Sequence, residues 1–345
     1  MKYENISSFF MELCNVNHLR HDNQYKNTNK NQMKKFSFIV VSTFIYLFVA
    51  CGGGNSAEGN NRSSTDNNVT GIDGEKYDLY YKLETGKTYN QIMTMNTAMI
   101  QHVAGQKMDM NIMMHFGMNF RVSDVTGDRI HAKMGFSSIE MEMITPMGSF
   151  LFSSEKDVEA NTMMPVDLSK MLKSMKNVSF DMVMTKYGKV ESLKGYDEMI
   201  ESILNTFDLS ESQKIQARTA LAQNFSEEKM IEQMKNMTIY PAYPVAIGES
   251  WMLEVNTNQM DLENTYTLKE ITENEIVLEV DSKILNMKIE GGSGLLEGIQ
   301  HGTTIAYRSS GWIKKSKIKQ EVAGAITMQG MEVEIDMNSD ITITD

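Results

Sequence analysis

"KMDMNIMMHFGMNFRV", residues 107–122, places an apolar residue at every even position: Met108, Met110, Ile112, Met114, Phe116, Met118, Phe120 and Val122. The odd positions hold Lys107, Asp109, Asn111, Met113, His115, Gly117, Asn119 and Arg121. Successive side chains of a strand point to opposite faces. A period of two sustained this long therefore predicts one long antiparallel strand with a buried face and a wet one. Upstream, Met93, Met95 and Met99 share one parity and end at a glycine-containing turn, "VAGQK". Downstream, "VTGDR" makes the next turn, and Ile130, Ala132, Met134 and Phe136 continue one face. The parity then switches to Ile139, Met141 and Met143, which predicts a bulge near Ser137–Ser138 that bends the sheet.

The periodicity changes after residue 166. Asp167 is placed to cap a helix carrying Leu168, Met171, Leu172 and Met175, and Met199, Ile200, Ile203, Leu204 and Phe207 form a second helical stripe. Ser210 with Gln213 has the capping-box pattern, and Ser226 with Glu227 and Glu228 opens a last helix. A strand pair around "VSFDMVMTKYGKVES" lies between the first two helices. Beyond Pro244 the text returns to strands, ending with Met331, Val333, Ile335, Met337, Ile341 and Ile343 on one parity and the polar Ser339 as the single break. The expected class is α+β: about ten long antiparallel strands in a strongly curved sheet or half-open barrel, with a central helical section, residues 167–238, packed on it. Lys314, Lys315, Lys317 and Lys319 read as a charged, solvated strand face.

The chain carries 33 basic and 45 acidic side chains, a net charge of −12. Such a surface repels phosphate backbones, which argues against nucleic acid as a partner. It offers no electrostatic hold on an anionic membrane either, so attachment to a bilayer has to come from elsewhere. Met is the compositional outlier at 31 residues. The only cysteines are Cys14 and Cys51, too few for a disulfide framework or a cysteine-based metal site.

Lys34 and Lys35 precede an uncharged run, "FSFIVVSTFIYLFVA" (residues 36–50), shorter than a spanning helix needs and of the length of a secretory h-region. The boundary Phe48-Val49-Ala50-Cys51 resembles a bacterial lipobox, whose cysteine is diacylated before cleavage. That resemblance implies lipidation at Cys51 and a membrane partner held through it, since two chains anchor stably where one does not. Residues 33–50 then form the signal peptide and 51–75 a Gly/Asn/Ser tether too polar to fold. Residues 1–32 read as a mis-called extension with the true start at Met33, and 76–345 as a single β-rich domain.

Three stretches, "KLETGKTYNQIM" (82–93), "YPVAIGESWMLEV" (243–255) and "AYRSSGWIKKSKI" (306–318), resemble an uncharacterised family of Bacteroidota-type lipoproteins that carries a domain of unknown function. Gly86, Gly248, Trp251, Gly311 and Trp312 are its recurring points, and they specify turns and strands, with no site residues to carry over. The plan is also similar to lipoprotein-carrier half-barrels that hold acyl chains. These resemblances imply a lipid-anchored protein of the bacterial cell envelope, at the outer membrane. Because only Glu58 lies near Cys51, periplasmic facing is favoured over the surface.

The candidate site is an apolar pocket lined by Met93, Met95, Met108, Met110, Ile112, Met114, Phe116, Met118 and Phe120, taking a lipid or other apolar molecule. An ordinary Met-rich core is the plainer reading. Pairs such as Met93/Met95, Met108/Met110, Met141/Met143 and Met182/Met184 have the spacing of thioether ligands for Cu(I), a weaker alternative. A protein–protein module of an envelope complex, docking by a sheet edge or the helical face, is the competing class. His102, His115, His131 and His301 form no close ligand pair in sequence, although His115 and His131 could meet across a hairpin. "GGSGLLEG" (291–298) lacks the lysine and the strand-to-helix context of a phosphate loop. The S-x-x-K matches at Ser153 and Ser226 are accidental, and no G-x-S-x-G elbow occurs. No catalytic residue, cofactor or metal site is expected, and the predicted role is binding or scaffolding without enzymatic chemistry.

Overall fold

The computed structural model describes residues 74–345, apart from positions 104, 147, 157–167, 225, 235–237, 258–259, 290–291 and 329. The expectations for Cys51, the signal peptide, the extension and nearly all of the tether, and for Asp167 as a cap, lie outside the described residues. Among the described residues fourteen strands follow one another: β1 (Lys76–Tyr77), β2 (Thr88–Val103), β3 (Gln106–Thr126), β4 (Arg129–Thr145), β5 (Gly148–Ser153), β6 (Ser179–Thr185), β7 (Val190–Lys194), β8 (Val245–Ala246), β9 (Ser250–Asn256), β10 (Met260–Ile271), β11 (Glu275–Met287), β12 (Gly292–Tyr307), β13 (Ile313–Met328) and β14 (Met331–Thr344). Four helices among the described residues accompany them: α1 (Leu168–Lys176), α2 (Tyr196–Leu204), α3 (Glu211–Asn224) and α4 (Glu227–Met234).

Twelve strands form one antiparallel sheet in the order β7-β6-β4-β3-β2-β14-β13-β12-β11-β10-β9, with β5 paired to β4. The C-terminal strand β14 lies between β2 and β13 and so joins the two halves of the chain. The alternation of residues 107–122 is the burial pattern of β3, with Met110, Ile112, Met114, Phe116, Phe120 and Val122 buried. The parity switch in β4 is a register shift: Gly117 faces Ser138, but Met118 faces Phe136, so Ser137 is the extra residue of a bulge.

One apolar face of so wide a sheet has to be hidden, and the hydrogen bonds of residues 81 and 82 show how. The Tyr81 amide donates to the carbonyl of Lys186, in the β6–β7 turn, at 2.8 Å, and the Lys82 amide donates to Ser310, in the β12–β13 turn, at 2.7 Å. Two adjacent amides hold their acceptors within roughly 10 Å of each other. On a flat sheet, β6 and β13 are five strand spacings apart, about 24 Å. At this end the sheet is therefore curled into a trough, its inner face turned on itself. β7 and β9, at the two ends of the order, are not paired to each other.

The α+β expectation is overturned. Strand makes up 62% of the structure, and the fold is mainly β. Residues 167–238 are not a helical layer on the sheet. The β6–β7 hairpin within them belongs to the main sheet, and α1 and α4 lie against β4, β5 and β7 at one edge only. The physical reason is the curl: a sheet that covers its own apolar face does not need helices to cover it. The local helix signals still operate, as where the Ser210 amide donates to the Gln213 side chain at 2.9 Å at the start of α3.

Curling is eased where side chains are missing from the inner face. On β12, Gly298 and Gly302 flank Gln300, and a Cβ at either would meet the carbonyl oxygen of Glu321 or Lys317 on β13. Gly298→Val is expected to cost about 2 kcal/mol or more of unfolding free energy by urea denaturation. Gly105→Ala, at a turn with φ +79° and nothing within 4 Å, should cost about 1 kcal/mol. Equal, small effects at both positions would contradict close strand approach at Gly298.

Candidate functional site

The closed end of the trough is built from aromatics. Tyr81 packs edge-on against Tyr240, with ring centroids 5.2 Å apart, and Trp312 reaches Tyr89 at 5.3 Å and Phe120 at 5.6 Å. Two of the polar tips bond to backbone: the Tyr240 hydroxyl donates to the Gly311 carbonyl at 2.6 Å, and the Trp312 indole N–H to the Asn90 carbonyl at 2.9 Å. The Trp251 indole N–H donates to Ile239 at 3.0 Å, and its ring stacks on Tyr266. Burial pushes the phenols of Tyr81 and Tyr240 far above their ordinary value, so both stay neutral. Gly311, at φ +68°, lies so close to the Tyr80 carbonyl that a side chain there would collide with it. Trp251, Gly311 and Trp312, which sequence reading could only class as turn and strand features, thus take part in this closure, while Gly86 and Gly248 turn the chain with positive φ ahead of β2 and β9.

Along the trough the predicted lining residues share one face. Met93, Met95, Met110, Ile112, Met114, Phe116 and Phe120 are buried, while Met108 and Met118 are half-buried. Strand register sets Met95 beside Met114 and Met114 beside Met141, with Ile341 completing the row on β14. The Met pairs at 93/95, 141/143 and 182/184 are likewise on this face, among Ile and Phe neighbours, so their thioethers are surrounded by hydrocarbon. His115 and His131 do not meet. A hairpin turning at Gly127 puts Glu140 opposite His115 and Asp124 opposite His131. Among the described residues, no three His, Cys, Asp or Glu side chains gather as a metal site.

Sequence reading missed the polar part of the inner face. Thr97, Asn264, Ser282, Gln300, Gln320 and Ser339 are buried there, as are Gln101, Thr304 and Ser316. Each occupies an inward position of its strand where the pattern calls for an apolar residue. Ser339 alone showed up in one dimension. Among the described residues no Asp, Glu, Lys, Arg or His side chain is buried, so every formal charge lies at least partly in solvent.

One ionisable pair on the outer face gives a pH-dependent handle on β11–β12. His301 Nδ1 is 2.6 Å from Asp281 Oδ1, and that hydrogen bond raises the imidazole above its ordinary value. A group raised on folding adds stability that is complete below its unfolded pKa, about 6.5, and is lost as pH rises through the folded value. An NMR titration should therefore find His301 titrating above about 6.5, and Asp281→Asn should return it to the ordinary range. A midpoint unchanged by that substitution would show that the pair does not form in solution.

The family model described as "Family of unknown function (DUF6263)" matches residues 127–313. No curated protein matches the chain. Among solved structures, an outer membrane channel from Pseudomonas putida F1 aligns at 7% identity, covering 77% of this chain and 97% of that one, with a TM-score of 0.24. Pseudomonas aeruginosa OpdQ aligns at 7% identity over 74% of this chain and 98% of its own, with a TM-score of 0.19. Ail of Yersinia pestis aligns at 7% identity over 75% and 99%, with a TM-score of 0.14. At such scores the likeness carries no conclusion about this chain.

Proposed function

The chain belongs to the DUF6263 family of unknown function, and on that premise we propose that it is a lipid-anchored protein of the bacterial cell envelope, held through Cys51, that binds an apolar molecule without enzymatic chemistry. The observation that carries this reading is the single Met-rich inner face enclosed by a curled sheet whose two edge strands are not paired to each other. Unbranched, polarizable Met side chains repack around varied apolar shapes at small cost. Unpaired edges let the trough widen where a closed barrel would not. The inner side chains are buried by the protein itself, so entry of a molecule requires the sheet to open. An outer-membrane position facing the periplasm completes the reading and rests on the signal-like run, the lipobox and family resemblances and, for the facing, on Glu58 being the only acidic residue near Cys51.

Two measurements test its two halves. Cells expressing the full chain and fed a radiolabelled palmitate should label it, and Cys51→Ala should abolish the label; persistence of label in Cys51→Ala would remove the anchoring claim. Chain purified in mild detergent, then solvent-extracted, should release an apolar compound in near-stoichiometric amount that is absent from a control envelope lipoprotein. A clean extract would count against the cargo.

A further inference from the structure

The buried polar residues of the inner face are in register. Asn264 on β10 pairs with Ser282 on β11, Ser282 with Gln300 on β12, Gln300 with Gln320 on β13, Gln320 with Ser339 on β14, and Ser339 with Thr97 on β2. They form one straight row across six adjacent strands, perpendicular to the chain direction. The row on one side is Leu262, Ile284, Gly298, Val322, Met337 and Met99. The row on the other side is Tyr266, Val280, Gly302, Ile318, Ile341 and Met95. A face that only needed filling would be apolar at this level too, as both flanking rows are.

Hydrogen bonds divide the row into pairs. Ser282 Oγ donates to Asn264 Oδ1 at 2.6 Å, Gln300 Nε2 donates to Gln320 Oε1 at 2.8 Å, and the hydroxyls of Thr97 and Ser339 are 2.8 Å apart. Two buried atoms are left over. Asn264 Nδ2 in the row, on a residue 1% exposed, and Gln101 Oε1 farther along β2, on a residue 3% exposed, have no hydrogen-bond partner among the described residues. Buried polar groups are nearly always bonded, so an orphan donor and an orphan acceptor on one inner face are unusual.

We propose that this row recognises the polar part of a neutral amphiphile, an ester-, hydroxyl- or amide-bearing lipid of the diacylglycerol type, whose chains lie on the flanking apolar rows. The inference rests on the reading that the trough takes an apolar molecule, and it names that molecule's class. The row offers hydroxyls and carboxamides, which donate and accept but carry no charge. An ester carbonyl or hydroxyl satisfies such groups. A phosphate or carboxylate, moved into a face with no buried cation, would lose its hydration without compensation. The pairing also suits exchange: side chains bonded to each other when alone can turn to a ligand one pair at a time, so no step leaves several buried groups unmet.

The test uses the full chain in mixed micelles with three photoreactive probes at equal concentration: a diazirine dipalmitoylglycerol, a diazirine phosphatidylglycerol and a diazirine hexadecane. Labelled peptides are mapped by mass spectrometry. The expected result is labelling of β10–β13 by the glycerolipid at least fivefold above the phosphatidylglycerol, with the preference lost in Gln300→Leu/Gln320→Leu and hexadecane labelling unchanged. Removing both partners of a buried pair is nearly neutral for stability. Should that variant lose its cooperative melt, Ser282→Ala carries the same test. If hexadecane and glycerolipid label alike in wild type and variant, the row is a packing feature, and this inference falls while the apolar-cargo reading stands. If none of the three probes labels the inner face, both fall.

Discussion

Two neighbouring backbone amides, those of Tyr81 and Lys82, clasp turns that a flat sheet would hold about 24 Å apart. Everything else in the fold depends on that curl. A twelve-stranded antiparallel sheet has one apolar face too broad for four short helices to cover, and here it is covered by the sheet itself. The clasp is reinforced by interlocking rings, with Tyr81 between Tyr240 and Trp312 and with Gly311 leaving room for the Tyr80 carbonyl. At the β7 edge, Glu227 of α4 accepts the backbone N–H of Leu193 at 3.2 Å, and buried side chains of α1 and α2 join the apolar core of the sheet on that side.

A self-covered face explains the composition. Met is unusually abundant, and many of its side chains lie on this buried face, where an unbranched chain fills irregular gaps that Val or Ile would leave. On the proposed reading, the same adaptability is what would admit an apolar guest. Against that background, a straight row of neutral polar groups is costly to keep in hydrocarbon, and its members offset that cost by hydrogen-bonding in pairs.

Much of this was legible in the chain. The alternation at 107–122, the turns at Gly105 and Gly127, and the parity switch at Ser137–Ser138 each depend on residues close in sequence, and each is found in β2–β4. The lining residues from Met93 to Phe120 were readable as one face for the same reason. What failed needed information from across the sheet. Helical spacing in Leu168, Met171, Leu172 and Met175 is real, but nothing local says that the β6–β7 hairpin rejoins the main sheet or that no helical layer is needed. The polar row was invisible because its members lie on six strands up to 242 positions apart, and they align only once every register is set. Single polar residues in apolar patterns look like noise until they line up.

Amide hydrogen exchange at Tyr81 and Lys82 tests the curl most directly. These amides precede β2 and belong to no strand, so protection can come only from Lys186 and Ser310. The account predicts that both exchange as slowly as the central amides of β2 and β3. Exchange near the free-peptide rate would mean that the two turns are not clasped, that the sheet lies open, and that its Met-rich face is covered in some other way.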